Sequence, residues 1–141
     1  AYEIRPRDWS SDVCSSDLVT VTNADEGCRW LGPVPSFESF HWHSETFTIP
    51  PGATHFAGNA ACANQMYALG KHLGMQCHVE MTTELIAAWC LDWDRELTAL
   101  ARRVPSVQTP DEMLNRVAER TAALNAVAQR IYSEWVKGLG D

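Results

Sequence analysis

Along this chain the spacing of apolar residues changes character at Glu80. Before that point the apolar positions come in short clusters separated by turn formers. Val19-Thr20-Val21-Thr22 is β-branched throughout and predicts a short strand that leaves through the turn-prone Asn23-Ala24-Asp25. Glu26 to Leu31 predicts a short helix ended by Gly32-Pro33. Phe37 to Gln76 is rich in aromatic and β-branched residues and is interrupted at Pro50-Pro51-Gly52, Gly58-Asn59 and Gly70-Lys71, which predicts several short antiparallel strands.

Beyond Glu80 the period becomes helical. Leu85, Trp89, Trp93, Leu97 and Ala101 recur every four residues, with Thr82 or Thr83 placed to cap the first turn, so one helix with its tryptophans on the core is expected. A second begins at Thr109-Pro110-Asp111-Glu112, where Thr109 caps, Pro110 takes the first helical position and Glu112 completes a capping box. Its apolar stripe is Leu114, Val117, Thr121, Leu124, Ala128, Ile131 and Trp135, and Gly138 suits its end.

Composition narrows the function. A chain of 141 residues, 45% hydrophobic, holds one buried core and is too short for two ordinary domains. Its net charge of −7 opposes a nucleic-acid surface, because phosphate binding needs clustered Lys and Arg. No apolar run reaches the roughly 20 residues that span a bilayer, and no charged-then-apolar leader opens the chain. A cytoplasmic protein with a small-molecule or protein partner is expected. Five cysteines, Cys14, Cys28, Cys62, Cys77 and Cys90, form no CxxC pair, which favours reduced thiols. No cofactor is indicated.

The opening segment differs from the rest. The chain begins with Ala, and residues 8–18 read DWSSDVCSSDL, too polar and aperiodic for a helix or buried strand. This string also resembles the in-frame translation of a sequencing-library adaptor joined to a truncated gene. Residues 1–18 are therefore expected to be non-native or disordered, and residues 19–141 to be the folded part.

The segment Leu73-Gly74-Met75-Gln76-Cys77-His78-Val79-Glu80 is an extended run leading into a helix. In a strand, residues two apart share a face, so His78 and Glu80 project together while Cys77 and Val79 point the other way. A carboxylate beside an imidazole fixes its tautomer and stabilises its protonated form, as a general base for a thiol requires. Alone, this HxE pair is equally a surface pair or a hydrogen-bonded core histidine.

The stretch FESFHWHSETFTIPPGATHFAGNAACANQMYALGKHLGMQCHVEMT resembles the C-terminal portion of class I glutamine amidotransferases, especially the stand-alone group similar to the GMP synthetase amidotransferase domain. The family's GxQxHxE strand falls on Gly74, Gln76, His78 and Glu80, with Val79 where proline is more usual. The loop with Trp42-His43 and Glu45 takes the place of one that lies beside bound glutamine in the family, and Ala63-Asn64-Gln65 resembles the next strand. The resemblance implies an α/β fold: the C-terminal part of a flavodoxin-like domain, with an antiparallel strand group followed by two C-terminal helices. It implies His78 and Glu80 as catalytic residues, His43 as substrate-binding, glutamine as substrate, and a synthetase partner or self-association.

The family's nucleophilic cysteine sits on a GxCxG turn, and no such motif occurs here. Cys14 lacks flanking glycines and lies in the adaptor-like stretch. Cys62, Cys77 and Cys90 read as small buried apolar residues on strand and helix elements. The expectation is an inactive fragment of a glutamine-hydrolysing protein. A rival reading takes His41, His43 and His55, with Glu45, as the metal cluster of a cupin-like barrel, since His41 and His43 share a strand face. A non-catalytic binding module is the other alternative.

Overall fold

A computed structural model describes residues 18–43 and 45–139; residues 1–17, with Cys14, lie outside the described residues, and Leu18, expected to belong to the adaptor-like segment, is in the first strand, opposite Glu38. Among the described residues the sheet has five strands: β1 (Leu18–Val21), β2 (Ser36–Glu38), β3 (Thr54–Gly58), β4 (Met66–Leu69) and β5 (His72–Met75). Their order is β2-β1-β3-β4-β5, and every pairing is antiparallel. Helix α1 (Ala24–Leu31) follows β1, and α2 (Thr83–Asp92), α3 (Asp94–Ala101), α4 (Pro110–Leu114) and α5 (Val117–Lys137) follow the sheet. The α/β expectation with an antiparallel strand group and C-terminal helices holds.

β2 to β5 form within the β-branched and aromatic region and break at the expected turns, but among the described residues positions 41–43 and 45–49 are in no strand, so His41 and His43 do not share a strand face as expected. β4 and β5 make a hairpin around Gly70-Lys71, with Leu69 opposite His72 and Met66 opposite Met75. A register irregularity between His55 and Ala57 sets β3 against β4. One difference lies at Asn23. Rather than serving as the strand's exit turn, Asn23 is the N-cap of α1, its side chain accepting from the Glu26 N–H at 3.1 Å. Gly32, at φ +78, ends that helix as expected.

Two cores result. The first buries Val19, Trp30, Leu31, Phe37, Phe56 and Met66 between the sheet and the pair α1 and α5. Helix α5 contributes Leu124, Val127, Ala128 and Ile131 to it, close to the expected stripe, while Trp135 stays 45% exposed. Each large apolar side chain fully buried here stabilises the fold by about 1.5–3 kcal/mol. The second core joins Phe40 and Met81 to Ile86, Cys90, Leu97, Val107 and Met113 in the helical layer.

Both helical stretches are divided. The first breaks at Trp93, whose φ of −114° ends α2 and precedes α3. Its buried residues are Ile86, Cys90 and Leu97, and Leu85 and Trp93 are each 38% exposed. The four-residue spacing of Leu85, Trp89, Trp93 and Leu97 therefore does not mark one buried face; the break re-aims the chain after Asp92. The second stretch has the expected capping box at Thr109 and Glu112, then breaks where Arg116 adopts left-handed φ +53. The turn lets α4 pack against α2 and leaves α5 free to lie along α1.

Candidate active site

The site is built where the chain leaves the sheet. Strand β5 stops at Met75, short of the histidine, so the expected strand ending at residues 78–80 is instead an extended segment. It is held by one isolated bridge: the His78 N–H donates to the Phe40 carbonyl at 2.8 Å. Before it, the Gln76 N–H donates to the Gln65 carbonyl at 3.0 Å. Thr82 then caps α2 by accepting from the Leu85 N–H at 3.2 Å, which fixes where the segment ends.

Alternation along this segment sorts the side chains as expected. Cys77 and Val79 are buried in the first core, while the side chains of His78 and Glu80 are 31% and 53% exposed. Nδ1 of His78 donates to Oε1 of Glu80 at 2.7 Å, a short bond of the charge-assisted kind. Burial pushes the Glu80 carboxyl up, but the His78 hydrogen bond and backbone N–H groups outweigh it and hold it below the usual carboxylate range. With Nδ1 engaged, Nε2 is the ring nitrogen left for proton transfer.

His43 comes to the same region. Its Nδ1 donates to the Glu45 carbonyl at 3.0 Å, and its Nε2 is buried with no hydrogen-bond partner among the described residues. Desolvation holds its pKa below the ordinary histidine value, opposed by the Glu45 bond and reinforced by the charge of a protonated His78. The neutral ring thus presents an acceptor lone pair.

Sequence reasoning gave Gln76 no physical role. Its Nε2 donates to the Asn64 carbonyl at 2.6 Å and to Thr46 Oγ1 at 3.0 Å, while Asn64 Nδ2 donates to the Phe47 carbonyl at 2.9 Å. These bonds brace the return of the loop that carries His43. Asn64 and Gln65 precede β4 and are not in a regular strand. Trp89, edge-on to His78 at 6.4 Å, was also missed as a site residue, because its helical spacing reads as core.

The cysteines divide plainly. Cys62, Cys77 and Cys90 are buried and Cys28 is exposed, all as free thiols. Cys62 lies in the connection between β3 and β4, not on a strand. Burial, chiefly, pushes the Cys77 thiol up to about 12, so it is a poor nucleophile despite its place beside His78.

The metal reading is not supported. His41 and His43 do stand close, with ring centroids 5.8 Å apart. His55, however, spends Nε2 on the Ala57 and Ala63 carbonyls at 3.0 and 2.8 Å. Among the described residues no three His, Cys, Asp or Glu side chains are grouped to hold a metal ion.

Comparison with solved structures identifies the fold. A glutamine amidotransferase from Methylobacillus flagellatus superposes with a TM-score of 0.85 at 35% identity, over 92% of this chain and 53% of its own. The chain has the fold of part of a class I glutamine amidotransferase domain. A glutamine amidotransferase from Thermotoga maritima matches with a TM-score of 0.74 at 19% identity, over 89% of this chain and 51% of its own, a likeness of fold. The structure of SMU.1228c matches with a TM-score of 0.71 at 26% identity, over 86% of this chain and 53% of its own. The chain thus spans about half the length of each of these three structures. No family model and no curated protein matches it. Among the described residues, no helix of this amidotransferase-like chain is long and apolar enough to cross a membrane.

Proposed function

We propose that this chain carries the proton-transfer half of a glutamine amide-hydrolysing site, with His78 as general acid and base, Glu80 as its orienting carboxylate and His43 beside bound glutamine. The observation that carries the reading is the 2.7 Å bond from His78 Nδ1 to Glu80, on a partly exposed pair at the end of an amidotransferase-like sheet. In such a reaction a cysteine thiolate attacks the side-chain amide carbon and His78 protonates the departing ammonia. Water, deprotonated by the same imidazole, then splits the thioester to release glutamate.

The nucleophile is not among the described cysteines. Cys77 faces away with a raised pKa, Cys62 and Cys90 are buried, and Cys28 sits on α1 without the strand-to-helix turn that activates a thiol. The reading therefore includes a nucleophile supplied by a further segment of an amidotransferase domain. Glutamine is then the substrate of the assembled protein, and an ammonia-using synthetase or a second copy its partner.

The test is ammonia release from L-glutamine. The 141-residue chain is expected to release none above the buffer rate. Adding the half of the Methylobacillus relative that this chain does not match should create activity that His78→Ala abolishes and Glu80→Gln reduces strongly. Glutaminase activity in the chain alone, surviving Cys14→Ser, would sink the reading.

A further inference from the structure

One side-chain nitrogen joins the three segments that meet at the site. Gln76 lies two residues before His78 on the same side of the extended segment. Its Nε2 donates to the Asn64 carbonyl at 2.6 Å and to Thr46 Oγ1 at 3.0 Å. A primary amide nitrogen carries two hydrogens, so these two bonds use both. Cys62 Sγ stands 3.5 Å from the same nitrogen and donates to Thr46 Oγ1 at 3.5 Å, and Asn64 Nδ2 donates to the Phe47 carbonyl at 2.9 Å.

The loop carrying His43 needs such ties, because no strand ladder sets its place. Apolar contacts reach it at two points: Phe40 stacks on Trp42 at 5.8 Å, and Phe47 packs edge-on to Tyr67 at 5.0 Å. Burial of apolar surface is non-directional, so it keeps the loop close without fixing its offset. Hydrogen bonds weaken steeply with distance and angle, so the Gln76 bonds fix that offset. It matters at His43, whose buried Nε2 has no partner among the described residues and serves only where a bound group meets it.

Gln65 supplies the contrast. It stands opposite Gln76 where the β4–β5 register continues, and its carbonyl accepts from the Gln76 N–H at 3.0 Å. Its side chain carries the same amide and is fully buried, yet neither polar atom of it has a partner among the described residues. Of the two opposed amides, that of Gln76 is the one tied to the loop.

We propose that Gln76 is a positioning residue for the amide site, holding the His43 loop at a fixed offset from the His78 segment so that both imidazoles meet one bound glutamine. Gln76 acts through Thr46 and Asn64 and takes no part in proton transfer. The catalytic meaning of the offset rests on reading His78 as the proton-transfer residue and His43 as the substrate contact.

The experiment uses the 141-residue chain and two readouts. Brief chymotrypsin treatment, followed by mass spectrometry, compares cleavage after Phe47 in the loop with cleavage after Phe56, which is buried in β3 and reports opening of the whole fold. NMR titration follows the His43 ring. Gln76→Met keeps the length of the side chain without its donors. It is expected to raise the Phe47-to-Phe56 cleavage ratio about three- to tenfold, the effect of one lost hydrogen bond. It should also move the His43 pKa up, because burial holds that pKa down and a loosened loop readmits water. Thr46→Val, at an exposed position, should act in the same direction, and Gln76→Met should add less in its background than in the parent chain. Gln65→Met should change neither readout. An unchanged ratio, equal acceleration at Phe47 and Phe56, an unmoved His43, full additivity, or the same effects from Gln65→Met would each overturn the proposal. If Gln76→Met does not fold, the ratio and the His43 titration in Thr46→Val decide alone. Neither readout requires activity, so a failed tie leaves the His78–Glu80 reading to the ammonia assay, and the two ideas fail separately.

Discussion

The ring of Tyr67 fills the space that a side chain at position 74 would need: a Cβ built on Gly74 meets Tyr67 Cζ at 2.3 Å. Gly74 and Tyr67 are paired across β5 and β4, and Phe47 packs edge-on against the same ring at 5.0 Å. The glycine that opens the Gly74, Gln76, His78, Glu80 series is thus a seat for an aromatic ring two strand steps before the Gln76 brace. Gly74→Ala is expected to destabilise the fold by about 1–3 kcal/mol, the usual range for overpacking. Urea denaturation checks this. A shift under about 0.5 kcal/mol, the size of a neutral surface change, would show that Tyr67 yields freely.

The same segment shows how far the sequence could be read. The alternation at Cys77, His78, Val79 and Glu80 follows from extended geometry alone, and the structure has that alternation. The β-branched and aromatic clusters between turn formers likewise located most of the antiparallel strands, the Thr109-Pro110-Asp111-Glu112 string the capping box, and the helical spacing the inward face of α5. What periodicity could not supply was the break at Trp93 and the left-handed turn at Arg116, because both are set by how the helices pack on one another. Nor did spacing indicate that Gln76 ties the His43 loop to the Asn64 turn, since those bonds join residues 12 and 30 positions apart. The His41, His43, His55 grouping failed for a related reason: His55 is drawn to the carbonyls at the turn after β3.

Glu80 reports on its partner. Its carboxyl is raised by burial and lowered by His78 and the local backbone, with the lowering dominant. A depressed carboxylate contributes stability that is present above its unfolded pKa and lost as pH falls through the folded value. Removing the imidazole leaves burial less opposed. His78→Ala is therefore expected to raise the Glu80 pKa, read from its side-chain carboxyl carbon by NMR titration. An unchanged value would mean that the 2.7 Å bond is not formed in solution.

His43 should make the fold sensitive to mild acid. The folded state disfavours its protonation through burial, so its pKa lies below the ordinary value. In the unfolded chain it takes up a proton near about pH 6.5. Stability from this group is therefore intact above that pH and is lost as pH falls from there through the lowered folded value. His43→Asn keeps an N–H donor for the Glu45 carbonyl and does not titrate. Denaturation midpoints between pH 7.5 and 5.5 should fall less steeply for this variant than for the parent chain. Parallel slopes would place the acid sensitivity elsewhere.

The cysteines give the most direct check on where a nucleophile is not. A thiol alkylates through its thiolate, so reactivity needs both access and an ordinary or lowered pKa. Cys28 is exposed on α1, whereas Cys62, Cys77 and Cys90 are buried, and burial chiefly pushes Cys77 to about 12 and raises Cys90. At neutral pH a pKa near 12 leaves a thiolate fraction of about one in 10⁵. Brief iodoacetamide treatment of the native chain, read by peptide mass spectrometry, is expected to label Cys28 and leave Cys62, Cys77 and Cys90 unmodified until denaturant is added. Adding L-glutamine should not change this pattern. Fast labelling of Cys77, blocked by glutamine and slowed by His78→Ala, would instead identify a thiol already coupled to the imidazole, and the search for a nucleophile outside the described residues would end there.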